Sequence, residues 1–147
     1  MSLENLPEES CMNILTSQEQ GRVPVTVLHL DGKLDGQNFH ELIEKAGQVH
    51  AAGARDILID AAGLSYISSA GLVALHSVAL MLRGDALPDP NQGWAALKSM
   101  DRIRDGGIQS HIKLLNPRPE VIRILDMVGF TTFFEIYTDL QTAVRSF

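Results

Sequence analysis

Residues 56–73 read DILIDAAGLSYISSAGLV, and the rest of the chain is placed around them. Ile57, Leu58 and Ile59 form a short apolar run of the kind that fills a buried strand. Ala61, Ala62 and Gly63 are expected to turn the chain, and Ser68-Ser69-Ala70-Gly71 opens an apolar segment of helical length ending near Leu82. A serine before such a segment is a good N-cap, because its oxygen accepts an orphan backbone N–H. Ser69 is then expected in the exposed first turn, where unpaired N–H groups and the helix dipole favour negative charge. Gly71 has no Cβ, so a partner's backbone can come close to this tip. The hydroxyl of Ser69 is thus a candidate phosphate acceptor; the plainer reading is that the serines only cap a helix.

The helix is expected to be apolar nearly all round, with Leu72, Val73, Leu75, Val78, Leu80, Met81 and Leu82. At 3.6 residues per turn, Ser69, Val73, His76 and Leu80 share one stripe. If Ser69 is exposed, that stripe is either a docking surface or is covered by local residues, such as those of the following segment.

Composition narrows the class. A chain of 147 residues suits one domain, and 45% apolar content fills one core. A net charge of −6 argues against a nucleic-acid or anionic-membrane partner. Cys11 is the single cysteine, which excludes an intrachain disulfide framework and fits a reducing compartment. The opening MSLENLPEES is acidic and lacks an apolar signal core, and the apolar run of the helix is too short for a bilayer. A soluble cytoplasmic protein is expected.

Catalytic and cofactor signals are weak. His29, His40, His50, His76 and His111 show no metal-ligand spacing and there is no cysteine pair, so no metal is expected. The glycines are scattered as turn residues rather than gathered in a phosphate loop, which implies no nucleotide cofactor. Gly63-Leu64-Ser65-Tyr66-Ile67 lacks the second glycine of a nucleophile elbow, and His76 lies two helical turns below Ser69. Enzymatic activity is not expected.

Taken in order, residues 1–10 form a flexible lead-in and 11–147 one α/β domain. Met12–Thr16 is a candidate first strand. Val23–Leu30 is a strand, with Pro24 confined to its end, and Asp31-Gly32 turns the chain. Asp35 is read as the N-cap of a helix in which Phe39, Leu42, Ile43, Ala46 and Val49 recur at helical spacing up to Gly53. Residues 84–110 begin as a Pro/Gly/Asp loop and continue into a candidate helix whose apolar side carries Trp94, Leu97, Met100 and Ile103. His111–Leu115 reads as the last sheet strand. Pro119 starts a helix that Gly129 stops, and Asp139 starts a last short helix after an extended piece.

YISSAGL after ILIDAAGL resembles the signature of STAS domains of the anti-sigma factor antagonist type. Gly32-Lys33-Leu34-Asp35 resembles the family's Gly-x-Leu-Asp. The order of elements from Ile112 onward, through Pro-Glu, Gly-Phe and Phe-Glu-Ile-Tyr, also matches. The resemblance implies a small mixed sheet of about four or five strands with helices packed mainly on one face. It makes 84–110 an insertion: a lid on the core, an element making the domain a homodimer, or a specificity element. It places Ser69 on the serine phosphorylated by the partner, a histidine-kinase-like anti-sigma factor, with a PP2C-type phosphatase as the reset. Ser68 stands where many members carry Asp. Asp35, Ser68, Ser69, Ala70, Gly71, Leu72, Val73 and His76 are then the expected partner-binding residues. The other reading is a STAS scaffold subunit of a transporter or larger signalling complex that is never phosphorylated.

Overall fold

Alternation along the second strand, β2 (Pro24–Leu34), separates two cores. Leu28 and Leu30 point into the larger one, whereas Val25 and Val27 point into a smaller one on the opposite face. The computed structural model describes residues 12–84, 109–132 and 134–147. In it β1 (Met12–Gln20), β2, β3 (Ile57–Ile67), β4 (Ile112–Leu115) and β5 (Ile136–Tyr137) form a single sheet in the order β1-β2-β3-β4-β5. The β1–β2 pair is antiparallel and the other three pairs are parallel, so the sheet is mixed.

The helices among the described residues are α1 (Phe39–Ala51), α2 (Ser69–Arg83), α3 (Pro119–Met127) and α4 (Leu140–Arg145). Leu42 and Ala46 of α1, the apolar residues of α2, and Val121 and Leu125 of α3 all enter the larger core. Among the described helices only α4 covers the other face, where Ala143 and Val144 meet Val25, Val27, Leu58 and Leu115. The expected arrangement, a small mixed sheet of about four or five strands with helices mainly on one face, is the one found, with five strands. Pro119 opens α3 where its missing N–H costs nothing, and Asp139 caps α4 by accepting from the Thr142 amide at 2.8 Å.

Several boundaries differ from the sequence reading. β1 runs to Gln20 rather than Thr16. β2 does not stop at Asp31-Gly32: it absorbs Gly32, at φ 118°, through register shifts against β3 and continues to Leu34. β3 likewise passes through Ala61, Ala62 and Gly63. A Cβ at Gly63 would lie 2.9 Å from the Leu30 carbonyl, so this glycine lets two strands approach rather than making a turn. β4 is not the last strand, because Ile136–Tyr137 pairs beyond it. The lead-in, Cys11 and nearly all of the 84–110 segment lie outside the described residues.

Candidate docking and phosphate-acceptor tip

β2 and β3 run parallel and end together, with Leu34 opposite Ile67. Asp35 and Ser68 therefore leave the sheet side by side at its carboxyl end, the place where open parallel sheets present their binding loops. The Ser68 amide donates to the Leu34 carbonyl at 2.9 Å, fixing the start of α2 against the end of β2.

Ser68 is extended, at φ −99° and ψ 178°, and its side chain accepts the Gly71 amide at 3.3 Å while its carbonyl accepts the Leu72 amide at 3.0 Å. It is the N-cap of α2, as read from the sequence. Ser69 is the first helical residue and is exposed, whereas Ala70 is half-buried. By helix geometry the first amides of α2 have no acceptor within the helix. No acidic residue stands in this first turn to compensate them. A negative charge placed on Ser69 would meet that positive end directly.

Asp35 builds the neighbouring loop. Its carboxylate accepts the Gln37 amide at 3.0 Å, and its carbonyl accepts the amides of Asn38 at 3.2 Å and Phe39 at 2.8 Å. Asp35 is therefore not the N-cap of α1. That position is Asn38, because the chain makes a further turn before the helix starts. Asn38 is fully buried: its Oδ1 accepts the Asp35 amide at 3.0 Å and its Nδ2 donates to the Lys33 carbonyl at 2.8 Å. The sequence reading overlooked Asn38; its one signal was a turn-prone side chain just ahead of a helix.

The expected partner surface contracts. Gly71, Leu72, Val73 and His76 are all buried, as is every residue from Gly71 to Ala79. Val73 and His76, the middle of the Ser69–Val73–His76–Leu80 stripe, are thus covered and offer no open docking surface, while Ser69 at its start is exposed and Leu80 is half-buried. Gly71 does serve close approach, but to its own domain: a Cβ there would lie 2.7 Å from Ile67 Cγ1 and 2.9 Å from the Leu34 carbonyl. Burial, reinforced by the charge of Arg83, pulls the His76 imidazole down to about 4 and keeps it neutral at pH 7. Of the eight candidates, Asp35, Ser68, Ser69 and Ala70 remain at the surface of the tip. Tyr66 joins them from the end of β3, 45% exposed and opposite the exposed Lys33.

Among the described residues, no group of three or more His, Cys, Asp or Glu side chains is placed to hold a metal. No helix there is long and apolar enough to cross a membrane.

Residues 17–88 match the family model described as "Mlab, STAS domain". No curated protein sequence matches the chain. Among solved structures, an anti-sigma factor antagonist from Mycobacterium paratuberculosis is similar, with a TM-score of 0.64 at 19% identity, covering 92% of this chain and 95% of its own. The anti-sigma factor antagonist SpoIIAA in its unphosphorylated form is similar with a TM-score of 0.53 at 18% identity, covering 89% and 95%. Residues 17–88 therefore resemble a STAS domain, and the chain has the fold seen in solved anti-sigma factor antagonists.

Proposed function

We propose that the protein is an anti-sigma factor antagonist whose binding is switched by phosphorylation of Ser69. The carrying observation is the exposed Ser69 hydroxyl at the bare N-terminus of α2, set beside the Asp35 loop. The fold shared with two antagonists supports the general role. In this reading the unphosphorylated tip binds a histidine-kinase-like anti-sigma factor and frees a sigma factor for transcription. The same partner transfers phosphate to Ser69, adding roughly −1.5 to −2 charges. The helix dipole accommodates the charge, so the fold survives while repulsion and lost contact release the partner. A PP2C-type phosphatase resets the switch. The site calls for no catalysis by this chain, and the cytoplasm is the compartment this role requires.

The second reading is a STAS scaffold subunit of a transporter or larger signalling complex that is never phosphorylated. Its supporting observation is the neutral cap Ser68, with no acid in the first turn of α2 to mark the tip for a kinase. One experiment separates the two. The purified protein is mixed with kinase-fold anti-sigma candidates from its own genome and ATP, and followed by intact mass, site mapping and sizing. The switch predicts one phosphate on Ser69 with dissociation, a Ser69→Ala variant that stays bound, and a Ser69→Asp variant that does not bind. Stable binding without phosphate transfer, unchanged in both variants, would establish the scaffold instead.

A further inference from the structure

Three side chains far apart in sequence meet on the sheet face opposite α1, α2 and α3. The His29 Nδ1 lies 2.7 Å from the Asp60 carboxylate, and its Nε2 lies 2.8 Å from the Ser17 hydroxyl. The second Asp60 oxygen accepts the Ala62 amide at 3.1 Å, which holds the carboxylate in place. Register explains the meeting: His29 is the parallel partner of Asp60, and Ser17 stands on the adjacent antiparallel strand two residues from Leu15, the partner of His29. An ionised carboxylate can only accept, so Nδ1 carries the proton in the neutral imidazole. Nε2 is then a bare acceptor, and the Ser17 hydroxyl must donate to it. Hydroxyl, base and orienting carboxylate stand in the order that activates a serine nucleophile.

The site is open. The side chains of His29 and Asp60 are 38% and 22% exposed, Ser17 is half-buried, and Leu15, directly across from His29, is 69% exposed. Leu15 offers an apolar contact beside a polar nucleophile. We propose that Ser17 is an acyl-acceptor site, taking an acyl group from an activated ester with His29 as general base and Asp60 as positioning residue. Ser17 Oγ bonds to the ester carbonyl carbon as its proton passes to His29 Nε2. The ester C–O bond breaks and the alkoxide or phenolate leaves with the bond pair; an alkoxide takes the proton from His29 Nε2, whereas beside a phenolate that proton passes from His29 to bulk water. Water, using the same base, releases the acid and restores the serine. The proposal is independent of Ser69.

The test uses the full chain with p-nitrophenyl acetate and with a fluorophosphonate, which phosphonylates a serine as its P–F bond breaks and hydrogen fluoride forms. Intact mass and peptide mapping are expected to place a single adduct on Ser17, absent after unfolding in urea and absent in Ser17→Ala. His29→Gln should slow labelling by at least about 100-fold, the usual contribution of a general base. Asp60→Asn should slow it as well, with Asp60→Glu recovering part of the rate. No adduct, an adduct on another residue, or labelling of Ser17 that His29→Gln leaves unchanged would each overturn the proposal.

Discussion

The Ser68 amide and the Leu34 carbonyl, 2.9 Å apart, join the start of α2 to the end of β2. That one bond holds the Ser69 tip and the Asp35 loop in a common frame, and Gly71 lies against it. Gly71→Ala would place a Cβ 2.9 Å from the same Leu34 carbonyl and 2.7 Å from Ile67 Cγ1. Alanine favours helix over glycine by up to about 1 kcal/mol. A backbone oxygen tied by a hydrogen bond cannot retreat, however, and overpacking costs about 1–3 kcal/mol. The clash wins. Thermal denaturation should show a midpoint lower by about 3–8 °C, and an unchanged midpoint would mean the tip is loosely packed.

Ser69→Asp should leave the fold intact or slightly firmer. The new carboxylate lies in the first turn of a helix with no acid of its own, where such charges contribute about 0.3–1 kcal/mol. Urea unfolding at low ionic strength should therefore show an equal or higher midpoint, and added salt should erase the gain. A marked destabilisation would mean that loss of partner binding in this variant reports unfolding rather than the switch.

Much of this arrangement was legible in the sequence where a pattern lasted several residues. Ser68 before an apolar run gave the cap of α2, and the 3.6-residue spacing from Phe39 to Val49 gave α1. The middle of β2 and β3 was not legible, because Asp31-Gly32 and Ala61-Ala62-Gly63 carry the residues of turns. There the glycines serve a bulge and a close strand contact, both of which depend on a partner strand distant in sequence. The buried stripe of α2 was misread in part for a similar reason. Periodicity shows which residues share a face, but not whether that face is covered. Asp35 was misassigned as a cap because it and Asn38 are both acceptable capping residues, and only the extra turn decides between them.

Lys113 should prove to be the anchor of α4. It is 5% exposed, and its Nζ donates to the Ser146 carbonyl at 2.9 Å and to the Ser146 hydroxyl at 3.0 Å. The same ammonium lies 3.2 Å from Glu135 and 4.8 Å from the Phe147 ring centroid. Lys113→Ala strands these groups and removes the packed stem, which should cost about 2–4 kcal/mol. Lys113→Met, which keeps the stem, should cost less. Glu135→Gln should cost under about 1 kcal/mol, because Glu135 is 37% exposed and water screens the pair. Chemical denaturation ranks the three, and amide exchange in residues 140–145 should quicken most in Lys113→Ala. A ranking with Glu135→Gln as the most damaging would refute the anchor role.

Acid should destabilise the domain through His76. Its imidazole titrates near 4 in the folded protein, against 6.5 for the exposed group, because burial and the nearby Arg83 both disfavour the charged form. Between those values the unfolded chain binds a proton that the folded chain refuses, so stability falls as pH drops from about 6.5 and the loss levels off below about 4. A shift of this size corresponds to a loss on the order of 3 kcal/mol. Carboxylates also titrate in the lower part of this window, so the comparison must be made against a variant in which only the imidazole is gone. His76→Leu removes the titration, and His76→Gln serves the same purpose should the apolar side chain pack poorly. Urea midpoints measured from pH 8 to pH 4 should fall more steeply in the natural chain than in either variant, with the curves parallel above pH 7. Parallel curves over the whole range would show that His76 takes up its proton inside the folded domain.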